Sequence, residues 1–155
     1  MTPSTIARAD RLHVTAVPAV GAVGLVLIVI GTFLPWLRSG RVLRNSYETD
    51  GAIRRLLAPD GLARGALSVW PAVSLACAAV VALYLFGARS SALALAVLTS
   101  LVAAAVGTGA LTAPRVGSLS VEASGPACTV AGTALVLLAA TLRFVIFVRD
   151  DRRNR

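Results

Sequence analysis

ALALAVLTSLVAAAVGTGALTA, residues 92–113, carries no charge and is long enough to cross a bilayer as one helix. A hydrocarbon core about 30 Å thick needs about 20 helical residues. Three further stretches share its length and character, at 14–34, 66–87 and 128–148. None of the four contains Asp or Glu. The predicted fold is therefore an all-α membrane protein, a four-transmembrane-helix antiparallel bundle. Residues 1–155 form a single membrane domain with extracytoplasmic connectors at about 35–65 and 114–127.

Composition agrees with that reading. The chain is 57% hydrophobic, with a mean hydropathy of +0.80. In water, such a chain would expose large apolar patches. All fifteen cations are arginine, and the net charge is +8. The arginines flank the apolar stretches rather than gathering on one soluble face. Their expected anionic partner is thus the bilayer surface, not nucleic acid. The first stretch is too long for the apolar part of a signal peptide, and Gly31–Trp36 offers no small-x-small cleavage site, so it is expected to stay as an anchor.

The first connector starts at Pro35-Trp36, a helix stop with an aromatic at the interface. Its first half has the look of a hairpin turning at Ser39-Gly40. Its second half reads as a short interfacial helix capped by Thr49 or Asp50, with Ile53, Leu56 and Leu57 as the apolar stripe and Arg54 and Arg55 beside it. The four residues 88–91 force spans two and three into an antiparallel hairpin. Leu119, Val121 and Ala123 alternate with polar residues, a strand pattern that can pair with the hairpin to form a small sheet. Trp36, Tyr47, Trp70 and Tyr84 fall at span ends and are expected as interfacial anchors. Residues 1–13 and the segment after Val148 read as polar ends, and Pro18 reads as a first-turn proline.

An even number of spans puts both termini on one side. The terminal segments and the 88–91 turn hold Arg8, Arg11, Arg89, Arg149, Arg152, Arg153 and Arg155. The two long connectors hold as many arginines, spread over more residues. Density places the termini in the cytoplasm and the protein in the plasma (inner) membrane. Arg143 is the one charge within a span and lies close enough to its end to snorkel to the headgroups. A bound anionic lipid or a partner's carboxylate is its sharper reading.

Helix association in lipid needs close backbone approach. Span three supplies small residues every fourth position at Ala92, Ala96, Ser100, Ala104, Thr108 and Thr112, with Gly107 on a second ridge. It is the predicted packing centre, and Leu in place of Ala104 or Gly107 is expected to lower stability. Span one adds Gly21, Gly24 and Gly31.

Catalytic chemistry is hard to assemble from what remains. His13 is the lone histidine, and Cys77 and Cys128 lack metal-ligand spacing. Depth in the bilayer separates the two cysteines too far for a disulfide. Glu48 and Asp50 beside Tyr47 read as a helix start. A proton-coupled exporter would need a carboxylate within a span. No cofactor or metal is expected.

Arg38, Arg41 and Arg44 recur every third residue between Trp36 and Tyr47, and three guanidinium groups can grip a phosphate. The stretch Leu34–Glu48 resembles one in small actinobacterial four-span membrane proteins of uncharacterised function. The resemblance covers the end of span one and the start of the outer connector, and it implies location but no activity. The layout is also similar to claudin-like four-span proteins, with a large first outer connector beside a smaller second one. The paired loop cysteines of that group are missing here, so no junction role is implied.

Two functions are consistent with these features. One is a non-catalytic accessory or scaffold subunit of a cell-envelope complex, bound to a membrane-protein partner or to a second copy of itself. The other is a binding or transport component for an anionic lipid or lipid-linked precursor, held by Arg38, Arg41, Arg44, Arg54 and Arg55.

Overall fold

The computed structural model describes residues 3–39, 41–49, 69–112 and 119–153. Within these the chain is mostly helical: α1 (Pro3–Phe33), α2 (Val73–Leu85), α3 (Arg89–Thr112) and α4 (Ser124–Arg153). A 3-10 turn, Trp70–Ala72, leads into α2. A small sheet forms from β1 (Pro35–Ser39), β2 (Val42–Asn45) and β3 (Leu119–Val121) in the order β2-β1-β3, antiparallel throughout. Three helices are long and apolar enough to cross a membrane, over Ala16–Phe33, Arg89–Thr112 and Ser124–Arg149; the apolar helix Trp70–Leu85 is shorter.

Several sequence expectations shift here. Helix α1 begins at Pro3, not near Val14, so Pro18 stands inside it rather than in its first turn. Helix α4 begins at Ser124, where Pro126 suits a first turn, and it runs through the polar tail to Arg153. The interfacial helix expected around residue 53, with Arg54 and Arg55, lies outside the described residues. A helical turn stands just before it, at 46–49. The cap of that turn is Asn45; the expected cap at Thr49 or Asp50 belongs to the helix outside the described residues. The Glu48 amide donates to Asn45 Oδ1 (3.0 Å) and the Asn45 amide to Glu48 Oε2 (3.2 Å). This reciprocal pair is a capping box.

The helices associate in the order α1-α4-α3-α2. The α1/α4 interface is the most extensive, while α1 and α2 barely touch. By extent of interface the packing centre is α4, whereas α3, as its small residues predict, buries the largest share of its membrane-length stretch, 33% against 28% for α1 and 22% for α4. Glycines explain the closeness of the first pair. A methyl group on Gly24 would stand 2.7 Å from the Gly132 carbonyl oxygen, and one on Gly132 would stand 2.6 Å from the Gly24 carbonyl oxygen. Contacts Gly31–Thr129, Gly24–Gly132 and Gly21–Ala139 run in opposite chain directions, so α1 and α4 are antiparallel.

Helix α3 buries Ala92, Ala96, Thr99, Ser100, Ala103 and Gly107. Ala104 is half-buried, and Thr108 and Thr112 are exposed. The every-fourth-residue ridge leaves the interface after Ser100 because each four-residue step advances about 40° around a helix of 3.6 residues per turn. A straight helix keeps contact by interspersing a step of three among steps of four, as 92-96-99-103-107 does. Thr108 instead donates to the Ala104 carbonyl at 2.6 Å.

Helix α2 ends in a Schellman motif. The Gly87 amide donates to the Tyr84 carbonyl (3.1 Å) and the Ala88 amide to the Leu83 carbonyl (2.9 Å). Gly87 takes φ +85°. This three-residue reversal makes α2 and α3 the expected antiparallel hairpin.

Candidate functional site

Two places concentrate side-chain chemistry, one at each end of the bundle. The first is the sheet end. Pro35 stops α1, and the chain enters β1 at once. Trp36 then folds back so that its indole N–H donates to the Gly31 carbonyl at 2.7 Å. Its ring rests on Gly125 of α4, where a side chain would collide with it. The other face of the cluster is Trp70, with ring centroids 5.1 Å apart and planes at 61°. Trp36 is 5% exposed and Trp70 is 0% exposed. Neither is the headgroup-belt anchor that its place at a span end predicts. They are buried against each other instead.

Tyr47 also turns inward. Its ring packs at 56° to Phe33, with centroids 5.6 Å apart. Its hydroxyl lies 2.7 Å from Ser74 Oγ and donates a longer bond, 3.4 Å, to Thr32 Oγ1. Ser46 Oγ donates to the Thr32 carbonyl at 2.6 Å. The Glu122 amide donates to the Trp36 carbonyl at 3.0 Å, and Ser124 Oγ to the Pro35 carbonyl at 3.3 Å. The connector, α1, α2 and α4 are thus laced together by polar bonds at one end.

The ribbon above this base divides the predicted arginine cluster. Arg38 pairs with Leu43, and Leu37 pairs with Arg44. Cross-strand partners share a face, and neighbours along a strand oppose. Arg38 and Arg44 therefore lie on opposite faces, with Arg41 at the reversal between the strands. Arg38 and Arg41 are exposed and Arg44 is half-buried. The three guanidinium groups do not form a one-sided clamp. Arg54 and Arg55 lie outside the described residues. Val42 and Leu43 stand exposed beside Arg41, at 56% and 48%.

The second place is the opposite end, near the α2–α3 turn. A cavity of about 400 Å³ opens there among all four helices. Its walls include Pro18 and Leu25 of α1, Val80 of α2, Ala96 of α3 and Val136 of α4. Among the described residues, its lining contains two arginines, Arg89 and Arg143, together with Tyr84, and no carboxylate. Tyr84 is exposed, as an interfacial aromatic would be. Arg89 opens α3 and Arg143 stands late in α4, so no local motif links them. Helix pairing does: Gly21 meets Ala139, and one turn further brings Val17 and Pro18 level with Arg143. Sequence reading singles out Arg143 alone and misses Arg89 as its neighbour in the lining.

Cys77 and Cys128 are both free thiols. Cys77 is buried and Cys128 half-buried, its thiol 3.5 Å from the Leu27 carbonyl. Among the described residues, no group of three or more His, Cys, Asp or Glu side chains is placed to hold a metal. No protein-family model, no curated protein and no solved structure matches this chain.

Proposed function

We propose that this is a four-span inner-membrane protein with cytoplasmic termini, acting as a non-catalytic accessory subunit of an envelope complex and presenting the β1–β2 ribbon to a protein partner. The fourth crossing would be Trp70–Leu85. That helix rises about 24 Å, starting beside Trp36 at the sheet end and ending at the reversal into α3. It therefore runs from the sheet end to the turn with about two thirds of the rise of α3, which is about 36 Å long.

The observation that carries the reading is the contrast between a locked base and an exposed ribbon. Trp36, Trp70, Tyr47 and Ser74 fix the base. On it stands a β-ribbon with apolar Val42 and Leu43 outward, Arg41 at its tip and, among the described residues, β2 as an edge strand. An edge strand with exposed apolar side chains invites pairing with another chain. The flanking arginines favour an acidic partner segment.

Purification from its native membrane in mild detergent, followed by identification of co-eluting species, tests this. The expected result is a stoichiometric protein, lost when Val42 and Leu43 are replaced by Asp while the bundle's melting is unchanged. Recovery of an anionic lipid, but no protein, that disappears on replacing Arg38, Arg41 and Arg44 by Gln would overturn it.

A further inference from the structure

We propose that the cavity at the end opposite the sheet holds an acyl chain of an anionic phospholipid, with the lipid phosphate between Arg89 and Arg143. The inference rests on the membrane-spanning reading but not on the protein partner.

The seam between α1 and α2 explains why the cavity is there. At the sheet end that seam is closed by Trp36 on Trp70 and by Tyr47 on Ser74. Toward the other end nothing comparable among the described residues ties the two helices, which barely touch. Gly21 and Ala22 on α1 leave little side chain to fill the gap, and Val80 and Val81 form the facing wall. The volume, about 400 Å³, falls within the range of about 300–1,000 Å³ usual for ligand sites. An apolar cavity of this kind holds water poorly, and its walls forgo dispersion contacts while it is empty. In a bilayer, the abundant apolar molecule at a lateral opening is a lipid chain.

Charge selects the kind of lipid. Among the described residues, two guanidinium groups belong to the lining and no carboxylate does. Arginine is suited to phosphate because its planar fork donates two parallel hydrogen bonds. Tyr84 adds a hydroxyl to the same lining. Tyr84 and Arg89 flank the reversal between α2 and α3, and Arg143, ten residues before the end of α4, has a side chain long enough to reach toward the headgroup level. A zwitterionic lipid would bring its own cation to this pair of arginines and lose part of the attraction.

The test is native mass spectrometry of the full chain in mild detergent, with phosphatidylglycerol or phosphatidylcholine of equal chain length added. One phosphatidylglycerol is expected to be retained, at least about tenfold more tightly than phosphatidylcholine. Arg89→Gln with Arg143→Gln should erase that preference, while Arg38→Gln with Arg41→Gln and Arg44→Gln should leave it intact. Ala96→Leu should reduce retention of both lipids by filling the cavity. Should that variant misfold, shortening the added chain is expected to weaken binding in the unaltered protein. Equal retention of the two lipids, or a preference that survives loss of both arginines, would overturn the proposal. A protein that stays dispersed without detergent would instead remove the membrane reading itself.

Discussion

Gly24 and Gly132 face each other backbone to backbone across the α1/α4 interface, each occupying the space where the other's side chain would begin. In lipid the apolar effect gives no net drive for two helices to meet, so contact at this distance carries much of their association. Gly132→Ala or Gly24→Ala pushes a methyl group into a carbonyl oxygen that has no rotamer to escape through. Each is expected to lower stability by about 1–3 kcal/mol. A methyl group added to Gly109 in α3 would meet nothing within 4 Å, so Gly109→Ala should be neutral or gain up to about 1 kcal/mol from helix propensity. Thermal melts in one detergent compare the three variants. Equal losses at all three positions would show that glycine acts through backbone freedom, not through contact.

The paired indoles make a separable prediction. Trp36 uses its N–H on the Gly31 carbonyl, whereas the buried Trp70 N–H has no partner among the described residues. Trp36→Phe should thus lose a hydrogen bond worth about 0.5–1.5 kcal/mol in addition to packing. Trp70→Phe loses packing alone. Either Trp→Ala should cost about 3–5 kcal/mol, since both rings are almost wholly enclosed. Chemical unfolding followed by tryptophan fluorescence ranks them, with the remaining indole as the probe in each case.

How much of this is legible in the chain depends on the range of the cause. Hydrocarbon imposes its demand locally, one residue after another, so the apolar runs at 14–34, 92–113 and 128–148 announce membrane-length helices directly. The strand alternation at Leu119 and Val121 is local too, and it falls where β3 forms. Helix ends escape the reading where polar residues continue a helix beyond the apolar run, as at Pro3 and Arg153. Trp36 and Trp70 stand far apart in sequence and read as belt residues, because only the tertiary fold brings them together. The arginine spacing at 38, 41 and 44 would gather charge on a helix, but a ribbon of period two scatters it. Arg89 and Arg143 show the reverse: no spacing connects them, and the register of three helices does.

Tyr47 and Ser74 join the connector that follows β2 to α2 through hydroxyls 2.7 Å apart. Tyr47→Phe is expected to destabilise the protein by about 1 kcal/mol, and Ser74→Ala by a similar amount. If the two hydroxyls serve mainly each other, the double variant should cost less than the sum of the single changes. A double-mutant cycle measures that coupling. Strict additivity would mean that Thr32, which accepts the longer bond from Tyr47, or another group takes up the slack.

The turn at Gly87 sets the level at which Tyr84 and Arg89 stand beside the cavity. Its φ of +85° is a conformation that a side chain opposes, yet nothing lies within 4 Å to obstruct an added methyl. Any loss on substitution there is accordingly backbone strain, free of steric collision. Gly87→Val should cost about 1–2 kcal/mol, and Gly87→Asn distinctly less, because asparagine tolerates the left-handed region better. Helix α3 starts at Arg89, just beyond the turn, so a relaxed turn would also shift Arg89 relative to Arg143. The valine variant is then expected to weaken retention of phosphatidylglycerol more than that of phosphatidylcholine, and the asparagine variant to change neither. Melting and lipid retention measured on the same preparations separate the two effects: a stability loss with lipid preference unaltered would place Arg89 outside the influence of the turn.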